Sequence, residues 1–304
     1  MKIERVALHS GGPELSRIVA GTMTWGEWGA DYSADQMADL IGRCFDLGIT
    51  TFDHADIYGH YSTEETFGRA LAELGPEVRD RIQLVTKCGI NLVTKRRPEH
   101  GVKAYDSSPE HLRRSVERSL NNLRTDYLDL LLIHRPDPLM DAGAVAGAVR
   151  ELLDAGRIRS FGVSNFTPAQ FALLNDQIPL ATNQVECHPL HPAPLFDGTF
   201  DQLQRLGRRP MVWSPLGGNK YFRSESTNVL RLRTAIREIA ARHGDVGEDT
   251  ILLAWLLRHP TGPLPVVGTT KRDRLARTRL AQEIALSRDD WFTILEAARG
   301  HEVA

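Results

Sequence analysis

Ile49-Thr-Thr-Phe-Asp53-His-Ala-Asp-Ile-Tyr58-Gly59 begins as a β-branched, apolar run and ends on an acid and a phenol. The pattern recurs downstream. Ile82-Gln-Leu-Val-Thr-Lys87-Cys-Gly closes on an ammonium, and Tyr127-Leu-Asp-Leu-Leu-Leu-Ile-His134 closes on an imidazole. Each run is short and apolar, as a buried strand is, and each precedes a longer stretch with apolar residues at three- and four-residue spacing. Strands alternating with helices imply right-handed βαβ units and a parallel sheet. A parallel barrel gathers the carboxyl ends of its strands at one mouth, so Asp53, Tyr58, Lys87 and His134 are expected to meet there.

Extending the reading in both directions gives eight strands, near 16–22, 49–53, 82–87, 127–134, 158–164, 180–186, 210–214 and 263–268. Helical patterns lie near 33–47, 63–74, 108–123, 141–155, 167–175, 199–206, 248–259 and 271–282. Ser33, Ser108 and Thr167 read as helix N-caps, the last two followed by proline at the first helical position. The fold class is therefore α/β, a (β/α)8 TIM barrel. An N-terminal hairpin turning at Ser10-Gly11-Gly12-Pro13 is expected to close its floor, and helices near 228–242 and 288–298 are additional. No linker interrupts residues 1–304, which read as one domain. Long connections at 89–107 and 217–227 follow strand ends and should overhang the mouth.

Composition narrows the function class. Lys plus Arg number 37 against 39 Asp plus Glu, which gives no electrostatic reason to expect nucleic acid or an anionic membrane as partner. Cys44, Cys88 and Cys187 are odd in number and widely spaced, against both a disulfide framework and a zinc cluster. No signal-peptide core or membrane-length apolar run is present. The expectation is a cytoplasmic monomer acting on a small molecule, without a metal.

The four mouth residues suit proton transfer to a carbonyl oxygen. A free tyrosine, with a pKa near 10, is a poor acid or base at neutral pH unless its anion is stabilised. Lys87 beside Tyr58 would favour phenolate, Asp53 would hold Lys87 charged, and His134 would donate a hydrogen bond to the substrate oxygen as charge develops. Gly268-Thr-Thr-Lys271-Arg-Asp-Arg274 follows the eighth strand and opens a helix, a setting for an anionic ligand. Trp25 and His54 are expected to line a substrate pocket, with Met23, Tyr105, Tyr221 and Phe222 as further candidates.

Phe52-Asp53-His-Ala-Asp-Ile-Tyr58-Gly59, Lys87, Asp126-Tyr-Leu-Asp-Leu-Leu-Leu-Ile-His134 and Gly162-Val-Ser164-Asn165 together resemble the aldo-keto reductases, in order, spacing and strand context. His134-Arg-Pro-Asp-Pro-Leu-Met and the terminal Trp291-Phe resemble most a bacterial subgroup of mostly uncharacterised oxidoreductases. The resemblance implies an NADPH-dependent oxidoreductase of alcohol dehydrogenase or carbonyl reductase type, reducing aldehydes or ketones on a barrel, with Tyr58 as proton donor. By position it implies Ser164, Asn165 and Gln184 at the nicotinamide carboxamide and Trp213 stacked on the ring. Gly21, Thr22 and Met23 would touch the cofactor, Ser214, Leu216 and Gly218 would cover the pyrophosphate, and Arg274, helped by Lys271, would hold the 2'-phosphate. A Glu-Asn pair that often recognises adenine is here Arg277-Thr278, and Arg277 is expected to add positive potential or stack on adenine.

Two rival readings follow from the same residues. Asp53-His54-Ala-Asp56 mimics the ligands of a metal-dependent barrel hydrolase, but the first strand offers no His-x-His pair. The other is an NADPH-binding redox sensor or regulatory subunit without significant turnover, since some aldo-keto reductase relatives serve channels; those carry a long N-terminal extension.

Overall fold

The computed structural model describes residues 2–302, so the expected domain bounds at Met1 and Ala304 lie outside the described residues. The chain opens with an antiparallel hairpin of β1 (Arg5–Ala7) and β2 (Glu14–Ser16). Leu8 and Leu15 from this hairpin are fully buried among Val19, Val85, Leu130, Leu132, Met211 and Leu264 inside the barrel. Burial of two leucines at about 1.5–3 kcal/mol each is enough to pin the hairpin across the barrel floor.

The barrel strands are β3 (Val19–Gly21), β4 (Thr51–Asp53) and β5 (Gln83–Cys88), then, after a small antiparallel pair β6 (Ile90–Asn91) and β7 (Ala104–Tyr105), β8 (Leu130–Ile133), β9 (Phe161–Ser164), β10 (Asn183–Glu186), β11 (Met211–Trp213) and β12 (Leu264–Val267). They close in the order β3-β4-β5-β8-β9-β10-β11-β12, every neighbouring pair parallel. All eight expected strands are present.

The helices begin where capping chemistry permits. Ser33 and Thr167 each accept from the backbone three residues on, with Gln36 and Gln170 returning the bond, and Ser108 caps Pro109–Leu123. Each expected helix is found. Two expectations change: the 89–107 connection contains the β6–β7 pair, and 217–227 contains the helix Gly218–Arg223, so neither is a plain loop. The extra helices Thr227–Arg242 and Arg288–Arg299 pack on each other and on Glu248–Leu257. There Trp255 and Trp291 stack at 4.9 Å, nearly parallel, and each indole N–H donates to the other residue's carbonyl, at 3.0 and 2.9 Å. No helix among the described residues is long and apolar enough to cross a membrane.

Candidate active site

Register builds the centre of the site. Asp53 lies opposite Val85, and strand side chains repeat every second residue, so Lys87 stands one repeat nearer the mouth on the same face. From there its ammonium donates to Asp53 Oδ2 at 2.6 Å, to the His54 carbonyl at 2.7 Å and to Tyr58 Oη at 3.3 Å. Asp53 and Lys87 are almost wholly buried. A buried ion pair persists only if its remaining lone pairs are satisfied, and Gln184 supplies that by donating to Asp53 Oδ1 at 2.7 Å. The His134 ring meets the Tyr58 ring edge-on, centroids 6.1 Å apart. The four expected residues are thus together, and Gln184 joins them.

Tyr58 is held by an unusual turn. Gly59, His60 and Tyr61 all have left-handed φ, at 57°, 54° and 72°, which costs a non-glycine residue about 1–2 kcal/mol. Two tethers hold it. The Tyr61 hydroxyl donates to the Ile90 carbonyl at 3.2 Å and accepts from Leu92 N at 2.9 Å, anchoring the turn to β6. Gly59 is required for space as well as conformation, since a Cβ there would meet Thr63 Oγ1 at 2.6 Å and Ser62 Oγ at 2.8 Å.

Electrostatics decide the resting protonation states. Burial raises the Tyr58 pKa, and the Lys87 charge, which pulls it down, does not overcome that. Lys87 thus favours phenolate as expected, but burial outweighs it and the residue rests as a phenol. Burial opposes the charge on Lys87, yet Asp53 and Tyr58 outweigh it and its pKa is raised. Burial, then Lys87, Arg135 and Lys103, holds His134 well below the usual imidazole range, and its Nδ1 is buried without a partner.

The remaining expectations divide. Ser164, Asn165, Gln184 and Trp213 form one network: Ser164 Oγ donates to the Gln184 carbonyl at 2.8 Å, Asn165 Nδ2 donates to Ser164 Oγ at 2.8 Å and to the His134 carbonyl at 3.2 Å, and Trp213 Nε1 donates to Asn165 Oδ1 at 3.0 Å. Gly21 ends β3, the Met23 side chain is exposed, and the Thr22 hydroxyl is buried against the Asp53 carbonyl. Ser214, Gly217 and Gly218 carry φ of 50°, 70° and 54°, with Leu216 half-buried between them. Past β12, Arg272 pairs with Asp39 at 2.9 Å and Arg277 with Asp249 at 3.1 Å. Arg277 is therefore tied to an acid rather than free to reach adenine, while Lys271 and Arg274 meet no carboxylate among the described residues; Arg274 lies 5.5 Å from the Phe222 ring centre.

The substrate-pocket residues need correction. Trp25 is fully buried in the outer core against Phe52 and Phe67. His54 is equally sealed, its ring 4.3 Å from Phe67 and its Nδ1 2.9 Å from Thr22 Oγ1. Tyr221 is buried and donates to Glu248 at 2.7 Å. The aromatic that does reach the site is Trp28, 6.0 Å from the Tyr58 ring. Trp25-Gly-Glu-Trp28 offers two tryptophans after one strand, and only the position of the chain reversal decides which turns inward.

Residues 17–299 match the model of the aldo/keto reductase family. The chain is 46% identical over 303 residues to "Oxidoreductase YdhF" of Escherichia coli (strain K12), covering 99% of each. It is 40% identical over 304 residues to a "6-dehydroglucose reductase" of Agrobacterium fabrum, covering 99% of this chain and 100% of that protein. Its fold is similar to that of an aldo/keto reductase from Klebsiella pneumoniae solved with NADP and acetate, with a TM-score of 0.75, 25% identity, and coverage of 96% of this chain and 94% of that one. Likeness in sequence and in fold both run through nearly the whole length, and the chain belongs to the aldo/keto reductase family.

Proposed function

We propose that the protein reduces aldehydes or ketones to alcohols with NADPH, and that Tyr58 gives the proton to the carbonyl oxygen. The observation that carries this is the Lys87 ammonium, in contact with both Asp53 and Tyr58 Oη at the mouth of a family barrel. NADPH, when bound, supplies the hydride. The Klebsiella relative was solved with NADP, and the donor set here fits such a group. Gln184 spends its amide donor on Asp53, which leaves its carbonyl oxygen to accept from a carboxamide. The 3.2 Å contact of Asn165 with the His134 carbonyl is the longest in its network and the one a carboxamide oxygen would displace. Trp213 offers a half-exposed ring, Gly217 and Gly218 permit close backbone approach, and Lys271 with Arg274 supplies unpaired charge for a 2'-phosphate.

Tyr58 rests as a phenol and so holds the proton to be given. As it leaves Oη, the adjacent ammonium stabilises the oxyanion, and Asp53 keeps that ammonium charged and aimed. His134, neutral at working pH, donates one ring N–H to the oxygen on which charge develops. Trp28 packs beside the Tyr58 ring and lines one side of the site.

Tyr58→Phe tests this reading. Turnover of NADPH with any accepted carbonyl should fall by the ~10²–10⁴ typical of general acid catalysis, while fluorescence titration shows cofactor affinity nearly unchanged. Full turnover in the variant overturns the assignment. The carbonyl panel should include hydroxyaldehydes, given the relative named as a 6-dehydroglucose reductase.

A further inference from the structure

Arg135 has no part in the reading above. It directly follows His134, and its guanidinium lies 5.8 Å from the centre of the Trp213 ring. The residue is half-buried, yet none of its donors meets an acceptor or a carboxylate among the described residues. Nor are those donors sealed from solvent: the buried polar atoms that lack partners include Nδ1 of His134 and no atom of Arg135. Several other cations near the mouth are paired, Lys87 with Asp53, Arg96 with Glu27, Arg272 with Asp39 and Arg277 with Asp249, whereas Arg135, like Lys271 and Arg274 past β12, meets no carboxylate among the described residues. A half-buried guanidinium whose donors face solvent and meet no carboxylate among the described residues is available to an arriving anion.

Barrel order says which anion. The cations suited to the cofactor phosphate follow β12, and Arg135 follows β8, four strands away round the barrel in either direction. Arg135 therefore stands across the mouth from the phosphate end. Its guanidinium lies beside Trp213, whose indole bonds Asn165, and Asn165 in turn bonds the His134 carbonyl, so Arg135 borders the same end of the mouth as His134. Lys103, exposed just before β7, adds a second charge there, and both depress the His134 pKa after burial and Lys87.

We propose that Arg135, seconded by Lys103, selects carbonyl substrates that carry an anionic group, a carboxylate or a phosphate, a few bonds from the carbonyl carbon. The planar fork of a guanidinium presents paired donors that match either group. This inference rests on the reductase reading and deepens it by naming the substrate class.

Matched substrate pairs test it with the full chain and NADPH: 4-oxobutanoate against its methyl ester, and glyceraldehyde 3-phosphate against glyceraldehyde. The wild type should prefer the anionic member of at least one pair by roughly ten- to hundredfold in kcat/KM, the range of one charge-assisted contact. Which pair shows the larger ratio distinguishes carboxylate from phosphate. Arg135→Gln should bring the ratio to about one, mainly through KM, and Arg135→Lys should keep part of it. Turnover of the neutral members with no anionic preference in the wild type overturns the inference alone. So does an Arg135→Gln loss shared equally by both members with a raised KM for NADPH, which would make Arg135 a cofactor contact. Failure of every carbonyl, neutral and anionic, overturns the reductase reading and this inference with it.

Discussion

His54 sits one residue from the ion pair and yet faces the other way, into the aromatic layer between barrel and helix. Burial, reinforced by the Lys87 charge, takes its pKa down to about 3. The folded protein therefore keeps His54 neutral, whereas the unfolded chain takes up a proton below about pH 6.5. Stability from this residue is present above that value and declines as pH falls towards 3, by up to ~1.4 kcal/mol per pH unit. Urea midpoints measured from pH 7.5 to 5 should fall less steeply for His54→Asn than for the wild type. Parallel lines would mean that His54 is not held neutral in the fold. Sequence alone led to the expectation that Asp53, Tyr58, Lys87 and His134 meet, because each lies at or just past the carboxyl end of a strand-like run. It did not show where His54 and Trp25 point, since strand alternation ends at Asp53 and the course of the turn is set by packing against Phe52 and Phe67.

At the scale of elements, the helix Arg272–Thr278 separates two arginines that look alike in sequence. Arg274 meets no carboxylate among the described residues, and Arg277 is turned onto Asp249 at the start of Glu248–Leu257. Arg274→Ala should weaken NADPH by roughly ten- to hundredfold and leave NADH almost untouched, as loss of one charge-assisted contact predicts. Arg277→Ala should leave discrimination between the cofactors intact and cost less than about 1 kcal/mol in stability, because that pair is partly exposed. Fluorescence titration of both cofactors against both variants checks this, and equal losses for NADH and NADPH at Arg274 would contradict it. The left-handed turn Gly59–Tyr61 was equally hidden. Only Gly59 carries a local signal for positive φ, while His60 and Tyr61 adopt it where the Tyr61 hydroxyl is tethered to the Ile90 carbonyl, 29 residues on.

For the molecule as a whole, the eight-strand alternation was legible because most strands are buried and centre on short apolar or β-branched runs, as in Leu130–Ile133 and Leu264–Val267. The pairing of Trp255 with Trp291 was not, since nothing in either helix announces a partner 36 residues distant. That pair has an optical consequence. Two indoles stacked at 4.9 Å and held rigid by reciprocal hydrogen bonds perturb each other's excited states, so the near-ultraviolet dichroism of the protein should carry a strong indole signature arising from this one contact. Trp291→Phe should remove most of it at a cost of about 1 kcal/mol for the lost bond and stacking; an unchanged spectrum would place its origin elsewhere. In the wild type, the same signal followed through denaturant reports when the final helix lifts from its neighbour. If it fades together with far-ultraviolet helicity, the barrel and its last helix melt as one unit; if it fades first, the chain comes undone from its carboxyl end, and light alone, without any label, records the order.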